Sequence, residues 1–352
     1  MSSAKGSAAS RQETTEHSRP SAGETESKPV LRVFLRRTWR GAVSTAIILV
    51  AGVLLYFSLR GTDWALVAHT VSGIRPEYAA LAVAVGIMPL LLRAFRWQIL
   101  LQAQQTVAYK TSFWALAAGY FGNNFLPARG GELVRCYIVR ERSTLGLSYL
   151  LATVLTEHVA DAVALVLIGA VILQWAMHRS FWVVGLLGFI FLLFLPMLEN
   201  PLRRVLNPWP RLQGILQQIL LGVRSLHDAR RLSLFVVTTS AIWWLDAIST
   251  ATLAHALSLP ISLSVAMLLI VALSLASALP SAPGYVGLYQ FVAVTVLKPF
   301  GICTSAAIAF ILVTQAFSYL VVGVFGLLAL TRFTPFNWRS FRRPLQPIQT
   351  QS

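Results

Sequence analysis

Two apolar stretches of this chain are interrupted by the same punctuation, and those interruptions constrain the fold more than any other feature. NNFLPARGGE runs from Asn123 to Glu132, and SALPSAPGYVGLYQ from Ser277 to Gln290. Each reads as a helix stopped at Leu-Pro, a glycine-containing turn, and a second apolar segment. Proline removes a backbone donor and clashes with the preceding turn, while glycine lets the chain reverse. In hydrocarbon the freed N–H and C=O groups find no water. Such breaks persist only inside protein or against a water-filled cavity. Matched broken segments in two halves of a membrane protein are the pattern of a transporter whose site lies near the bilayer midplane.

The membrane setting itself follows from composition. Of 352 residues, 56% are hydrophobic and 12% charged, where a soluble domain carries roughly 25% charged residues. Apolar runs fall near 41–59, 77–92, 111–127, 145–177, 181–198, 232–257, 263–279, 284–297 and 303–331. Residues 1–29, rich in Ser, Glu and Thr, lack the apolar content to pack and read as a disordered tail. Residues 30–332 read as one transmembrane domain and 333–352 as a basic tail. The first run, Gly41 to Leu59, follows Arg32, Arg36, Arg37 and Arg40 and lacks a small-residue cleavage site, as a retained signal anchor would. The net charge of +16 does not point to nucleic acid, because the arginines flank apolar runs as orientation signals do. Cys136 and Cys303 sit in apolar surroundings and suggest neither a disulfide nor a metal site. No metal or cofactor is expected.

Charge also sets an orientation. With a cytoplasmic N-terminus, and with 111–142 and 263–298 entering as hairpins from opposite faces, nearly all loop cations fall inside. Arg60, Arg75, Arg179 and Lys298 remain outside. Treating each hairpin as a full crossing would flip the intervening loops and spoil that bias. The expected fold is therefore an all-α polytopic membrane protein with about six full transmembrane helices plus two opposed re-entrant helical hairpins. Such hairpins imply an inverted repeat whose halves rock around a shared site. Chance recurrence of Leu-Pro in a leucine-rich chain is the alternative. Between Pro201 and Arg231, Leu212, Ile215, Leu216, Ile219, Leu220, Val223 and Leu226 recur at helical spacing among arginines. This reads as a helix on the cytoplasmic leaflet, or as a linker packed on the bundle.

Four of the 13 acidic residues fall inside the predicted membrane segments: Glu132, Glu157, Asp161 and Asp246. Each costs ~2.5–3.5 kcal/mol at a helix centre. Glu157 and Asp161 are four apart and share a helix face, with His158 beside them. Arg129 and Arg135 are the cations placed among them. One reading is a polar cavity at the hairpin tips. There Arg129, Arg135 and the N–H groups near Gly130 and Gly131 attract a lipid phosphate. Glu132, Glu157 and Asp161 then orient the arginines or bind a coupling proton. The other is a buried ion-pair network, Glu132–Arg135 and Arg129–Glu157, that holds the hairpin; the two are compatible. Asp246 follows Trp243 and Trp244 and reads as a membrane-boundary carboxylate as readily as a site residue. Asn123 and Asn124 would bind a headgroup or satisfy freed backbone. Tyr285 and Gln290 are polar handles in the second hairpin. No Ser-His-Asp order, Cys/His metal spacing or phosphate-binding loop is present.

Three segments in order, NNFLPARGGELVR (Asn123 to Arg135), TEHVAD (Thr156 to Asp161) and LPSAPGYVG (Leu279 to Gly287), carry a resemblance over roughly residues 40–332. They resemble the family of the transmembrane region of lysylphosphatidylglycerol synthase/flippase proteins. The resemblance implies a lipid-translocating domain of the bacterial inner membrane, and the charge distribution sets both termini in the cytoplasm. It sets the family's Gly-Gly-Glu and Glu-x-x-x-Asp positions on Gly130, Gly131, Glu132, Glu157 and Asp161. This chain departs at His158, where the family tends to have Arg, and at Gln290, where it tends to have Glu. Both departures bear on charge coupling. The expected function is a flippase moving a phospholipid or lipid-linked anionic headgroup between leaflets. The alternative is a membrane-embedded transferase, with Glu157 or Asp161 as general base, or an accessory subunit of envelope-lipid synthesis. Partners would be membrane lipids, a second copy of the chain or a lipid-biosynthesis enzyme. The short tails leave no room for an aminoacyl-transferase or glycosyltransferase module.

Overall fold

The computed structural model describes residues 45, 48–126, 129–177, 228–279 and 281–332, with the side chains of 173–177 excepted. Apart from Thr45, these belong to one compact unit, 47–352. The predicted tails, the 181–198 run and nearly all of the 201–231 segment lie outside the described residues.

Every regular element among the described residues is helical. α1 (Ile48–Leu59) meets α2 (Trp64–Ser72) at 84°. Asp63 holds that corner. Its carboxylate accepts from the Ala65 and Leu66 N–H groups at 2.9 and 3.2 Å, and its own N–H donates to Ser305 Oγ at 2.8 Å. Such a cap satisfies donors that the first helical turn cannot pair internally. α3 (Pro76–Leu101) opens with proline, whose fixed φ and missing N–H suit a first helical position. α4 (Tyr109–Phe125), α5 (Gly131–Glu141), α6 (Leu147–Met177), α7 (Ala229–Ala256), α8 (Leu263–Ala276), α9 (Leu288–Leu297) and α10 (Thr304–Arg332) follow. Four helices, α3, α6, α7 and α10, are long and apolar enough to cross a membrane, or five spans if the bent α1–α2 pair counts as one.

The order of these elements repeats. Long α3, short α4, a break, short α5 and long α6 are matched by long α7, short α8, a break, short α9 and long α10. α3 lies along α7 in the most extensive helix pair of the bundle. Two apolar clusters are the largest among the described residues. One gathers Leu253, Ala266, Leu269, Ala293, Leu297 and Phe310 around α8 and α9. The other gathers Trp97, Ala115, Ala118, Cys136, Val139 and Leu150 around α4 and α5. α3 feeds the first through Ala79 and the second through Leu101, positions roughly 30 Å apart along a helix. The bases of the two hairpins therefore sit at opposite ends of the bundle, and their tips meet between the cores.

One boundary differs from expectation in a way that matters. The apolar run ends at residue 92, yet α3 continues to Leu101. It continues because Ala94, Trp97, Leu100 and Leu101 are fully buried on one face, while Arg93 and Arg96 find carboxylates on other helices. Two close backbone approaches also require glycine. A Cβ on Gly131 would lie 1.8 Å from the Gly119 carbonyl oxygen. One on Gly287, at φ 85°, would lie 2.2 Å from the Ala51 carbonyl oxygen.

Candidate functional site

A chain of ion pairs crosses the region where the hairpins meet. Glu132, in the first turn of α5, forms an ion pair with Arg135 one turn on, its Oε2 lying 2.6 Å from Arg135 Nε. Arg135 Nη2 reaches Glu157 on α6 at 3.0 Å. Glu157 also lies 3.5 Å from Arg96 on α3, and Arg96 grips Asp161 with both terminal nitrogens, at 2.5 and 2.8 Å. Arg96 further donates to Thr239 Oγ1 on α7 at 3.1 Å. Aromatic faces cover the cations: Arg135 stands over Trp97 and Arg96 over Phe235, 4.8 and 5.4 Å from the ring centroids. The side chains of Arg96, Arg135 and Glu157 are almost wholly buried. The network thus ties α3, α5, α6 and α7 together behind the site.

In front of it opens a cavity of about 520 Å³. Arg93, Arg129, Glu132, His158, Asp161 and Asp246 line it, with Asn123, Asn124, Tyr120, Tyr285 and Tyr289. The rest of its wall mixes apolar side chains such as Leu90, Leu165, Leu253, Phe317 and Val321 with hydroxyl-bearing ones such as Ser249, Ser274, Thr314 and Ser318. Arg93 donates to Asp246 at 2.5 Å, joining α3 to α7 across the cavity floor. His158 Nε2 is 3.6 Å from Glu132 Oε1, and Asn123 Nδ2 donates to the same oxygen at 3.2 Å.

The two breaks touch each other. Arg129 Nη2 donates to the Ser277 carbonyl oxygen at 2.8 Å and to Ser277 Oγ at 2.7 Å. Arg129 has φ 55°, a left-handed conformation uncommon for a long side chain, and Tyr285 in the second break has φ 58°. Strain of this kind persists where surrounding structure over-determines it, and it concentrates at functional sites. Around the second break, Gln315 Nε2 donates to the Gly284 carbonyl at 3.1 Å and Tyr319 donates to the same oxygen. Tyr285 stacks on Tyr289 with ring centroids 4.7 Å apart.

Of the residues picked out in the sequence, Arg129, Glu132, Asp161, Asn123, Asn124 and Tyr285 come together on the cavity wall. Arg135 and Glu157 stand behind it in the pair network. Gly130 and Gly131 lie outside the wall, where they seat α5 against α4. Gln290 also lies outside it: its amide accepts from the Gly287 N–H at 2.8 Å and donates to Gln315 Oε1 at 2.7 Å. The expected Glu132–Arg135 pair is present. Among the described residues the expected Arg129–Glu157 pair is not, because Arg129 turns to Ser277 and Glu157 is held by Arg135 and Arg96. Asp246, left open between a boundary carboxylate and a site residue, pairs with Arg93 on the cavity wall. Arg93 and Arg96 are the site residues that sequence reasoning missed. Their signal was an unmatched surplus of carboxylates in neighbouring spans.

The model of the family described as Lysylphosphatidylglycerol synthase TM region matches residues 42–326. The chain belongs to that family. The match spans both hairpins, the pair network and the cavity. A UPF0104 membrane protein of Methanocaldococcus jannaschii is 23% identical over 216 residues, covering 58% of this chain and 91% of that protein. No solved structure matches at a significant level. Family membership and the long apolar helices make this a multi-pass membrane protein of the lysylphosphatidylglycerol synthase transmembrane-region type.

Proposed function

We propose that the protein moves a lipid with an anionic headgroup between the leaflets of the inner membrane. The observation that carries this reading is the cavity between the hairpin tips, which sets Arg93 and Arg129 among partly apolar walls. A phosphate is recognised there by guanidinium donors through charge-assisted hydrogen bonds. The apolar parts of the wall suit the glycerol backbone and the upper acyl chain. The two halves, related by the repeated element order, supply the parts that alternating access requires. Arg129, bonded to Ser277, closes the tips on each other and opens when it turns to the headgroup.

Leaflet exchange of fluorescent phosphatidylglycerol and phosphatidylcholine in proteoliposomes tests this. Wild type is expected to speed exchange of the anionic lipid over the zwitterionic one. Arg129→Ala should slow it about 10–100-fold, as loss of a hydrogen bond to a charged group does. Equal rates for both proteins would remove Arg129 from the site.

One observation favours a second reading. His158 and Glu132 stand together on the cavity wall in the manner of an acid–base pair, as a membrane-embedded transferase needs. A covalent change in lipid extracts that is lost in His158→Gln would select it. Unchanged lipid on the opposite leaflet selects carriage.

A further inference from the structure

Among the described charged residues of the site, Arg93, Arg96, Arg129 and Arg135 balance Glu132, Glu157, Asp161 and Asp246. The set is neutral as a whole, and Arg129, which pairs with no carboxylate among the described residues, is already held by Ser277. An added phosphate charge leaves the set with negative charge in excess, and a headgroup that also engages Arg93 displaces its carboxylate, which then faces a like charge at close range. Two such charges in a low-dielectric site favour protonation of one of them.

The carboxylates are not equally free to be displaced. Asp161 is held by two bonds to Arg96, Glu157 sits between two arginines, and Glu132 is bound at 2.6 Å by Arg135. Asp246 has a single ion-pair contact among the described residues, with Arg93, and both side chains retain about a fifth of their exposure on the cavity side. Their position in the fold is also particular. The two residues are 153 apart, and α3 and α7 begin at Pro76 and Ala229. Arg93 and Asp246 therefore occupy matching positions in the two halves and join those halves at their shared axis.

We propose that an anionic headgroup binds together with a proton, which passes from water to the Asp246 carboxylate as Arg93 exchanges Asp246 for the headgroup. No other bond forms or breaks. The inference rests on the carriage reading and gives it an energy source, since a lipid moved with a proton follows the proton gradient. The groups facing Asp246 are Arg93 and Arg96 from α3, and His158 and Asp161 from α6. Tyr120 of α4 shares the same wall. α8, and α10 up to Leu330, carry no Asp, Glu, Lys, Arg or His. Glu132, His158 and Asp161 on the same wall are the other groups able to accept a proton.

Calorimetric titration of the full chain in micelles with dihexanoyl phosphatidylglycerol, in two buffers of different ionisation enthalpy, counts the protons taken up. Wild type should take up a proton per lipid bound, and its affinity should fall about tenfold per pH unit while uptake persists. Dihexanoyl phosphatidylcholine, which adds no net charge, should bind without uptake. Asp246→Asn should lose both the buffer dependence and the pH dependence. Anionic lipid bound by wild type with no buffer dependence overturns the proton and leaves carriage standing. Uptake retained in Asp246→Asn overturns the assignment to Asp246. Absence of binding overturns the anionic-headgroup reading and this inference with it. The wild-type measurement decides the first and last outcomes even if the variant fails to fold.

Discussion

Replacing Gly131 by alanine should keep the first hairpin from closing and lower the melting temperature of the purified protein more than any other single methyl addition. A Cβ at this position would meet the Gly119 carbonyl oxygen at 1.8 Å and the Asn123 N–H and Oδ1 at 2.6 Å. Those first contacts are backbone, which cannot swing aside as a side-chain tip can. Extra methylenes in a packed core cost about 1–3 kcal/mol. A clash with backbone belongs at or beyond the upper end of that range. Gly323→Ala is the control. Nothing lies within 4 Å of its added methyl, and the exchange removes glycine's cost in a helix interior, about 0.5–1 kcal/mol. Thermal unfolding in micelles, followed by size-exclusion chromatography, should separate the two by many degrees. Similar melting points would mean that the two hairpin arms are not packed as described.

The second large effect is expected at Arg96. Its guanidinium serves Asp161 through two bonds, stands 3.5 Å from Glu157 and donates to Thr239. Arg96→Met keeps most of the volume and removes the charge, leaving buried carboxylates without their partner. Breaking a buried pair in this way costs about 3–5 kcal/mol. The same principle predicts recovery: adding Asp161→Asn to Arg96→Met removes the stranded charge and should return a large part of the loss. The double variant should therefore melt above the Arg96→Met single variant, a non-additivity that neighbouring residues in one network show. Losses that simply add would mean the two side chains are not coupled, and that the network contributes less to the fold than its geometry implies.

What the sequence made legible was chemistry that is local along the chain. Leu-Pro followed by glycines announces a break wherever it occurs, and both breaks are present between α4 and α5 and between α8 and α9. Glu132 and Arg135, three apart, could be paired from helical spacing alone. The remainder of the site is built from long-range partners. Arg93 and Asp246 lie 153 residues apart, Arg96 and Asp161 65, and helical spacing does not reach across either separation. The arginines of α3 also follow the end of an apolar run, where a cation ordinarily marks a cytoplasmic loop. Only burial of Trp97 and Leu101 beyond them shows that the helix continues into the protein. Arg129 illustrates the opposite error. Its partner was sought among carboxylates, since charge is visible in a sequence, and it proved to be the carbonyl and hydroxyl of Ser277.

The close approach of Gly287 to Ala51 sets an order of events during synthesis. The helix Ile48–Leu59 leaves the ribosome early, but the surface it rests against is translated about 235 residues later. At ~5–20 residues per second that interval is roughly 10–50 s. Throughout it the nascent helix stands in the bilayer with that flank bare. Cross-linking from Ala51 to neighbouring chains should therefore be strong in translation intermediates arrested before Gly287. It should vanish once the second break has emerged, which makes this contact a clock for completion of the bundle.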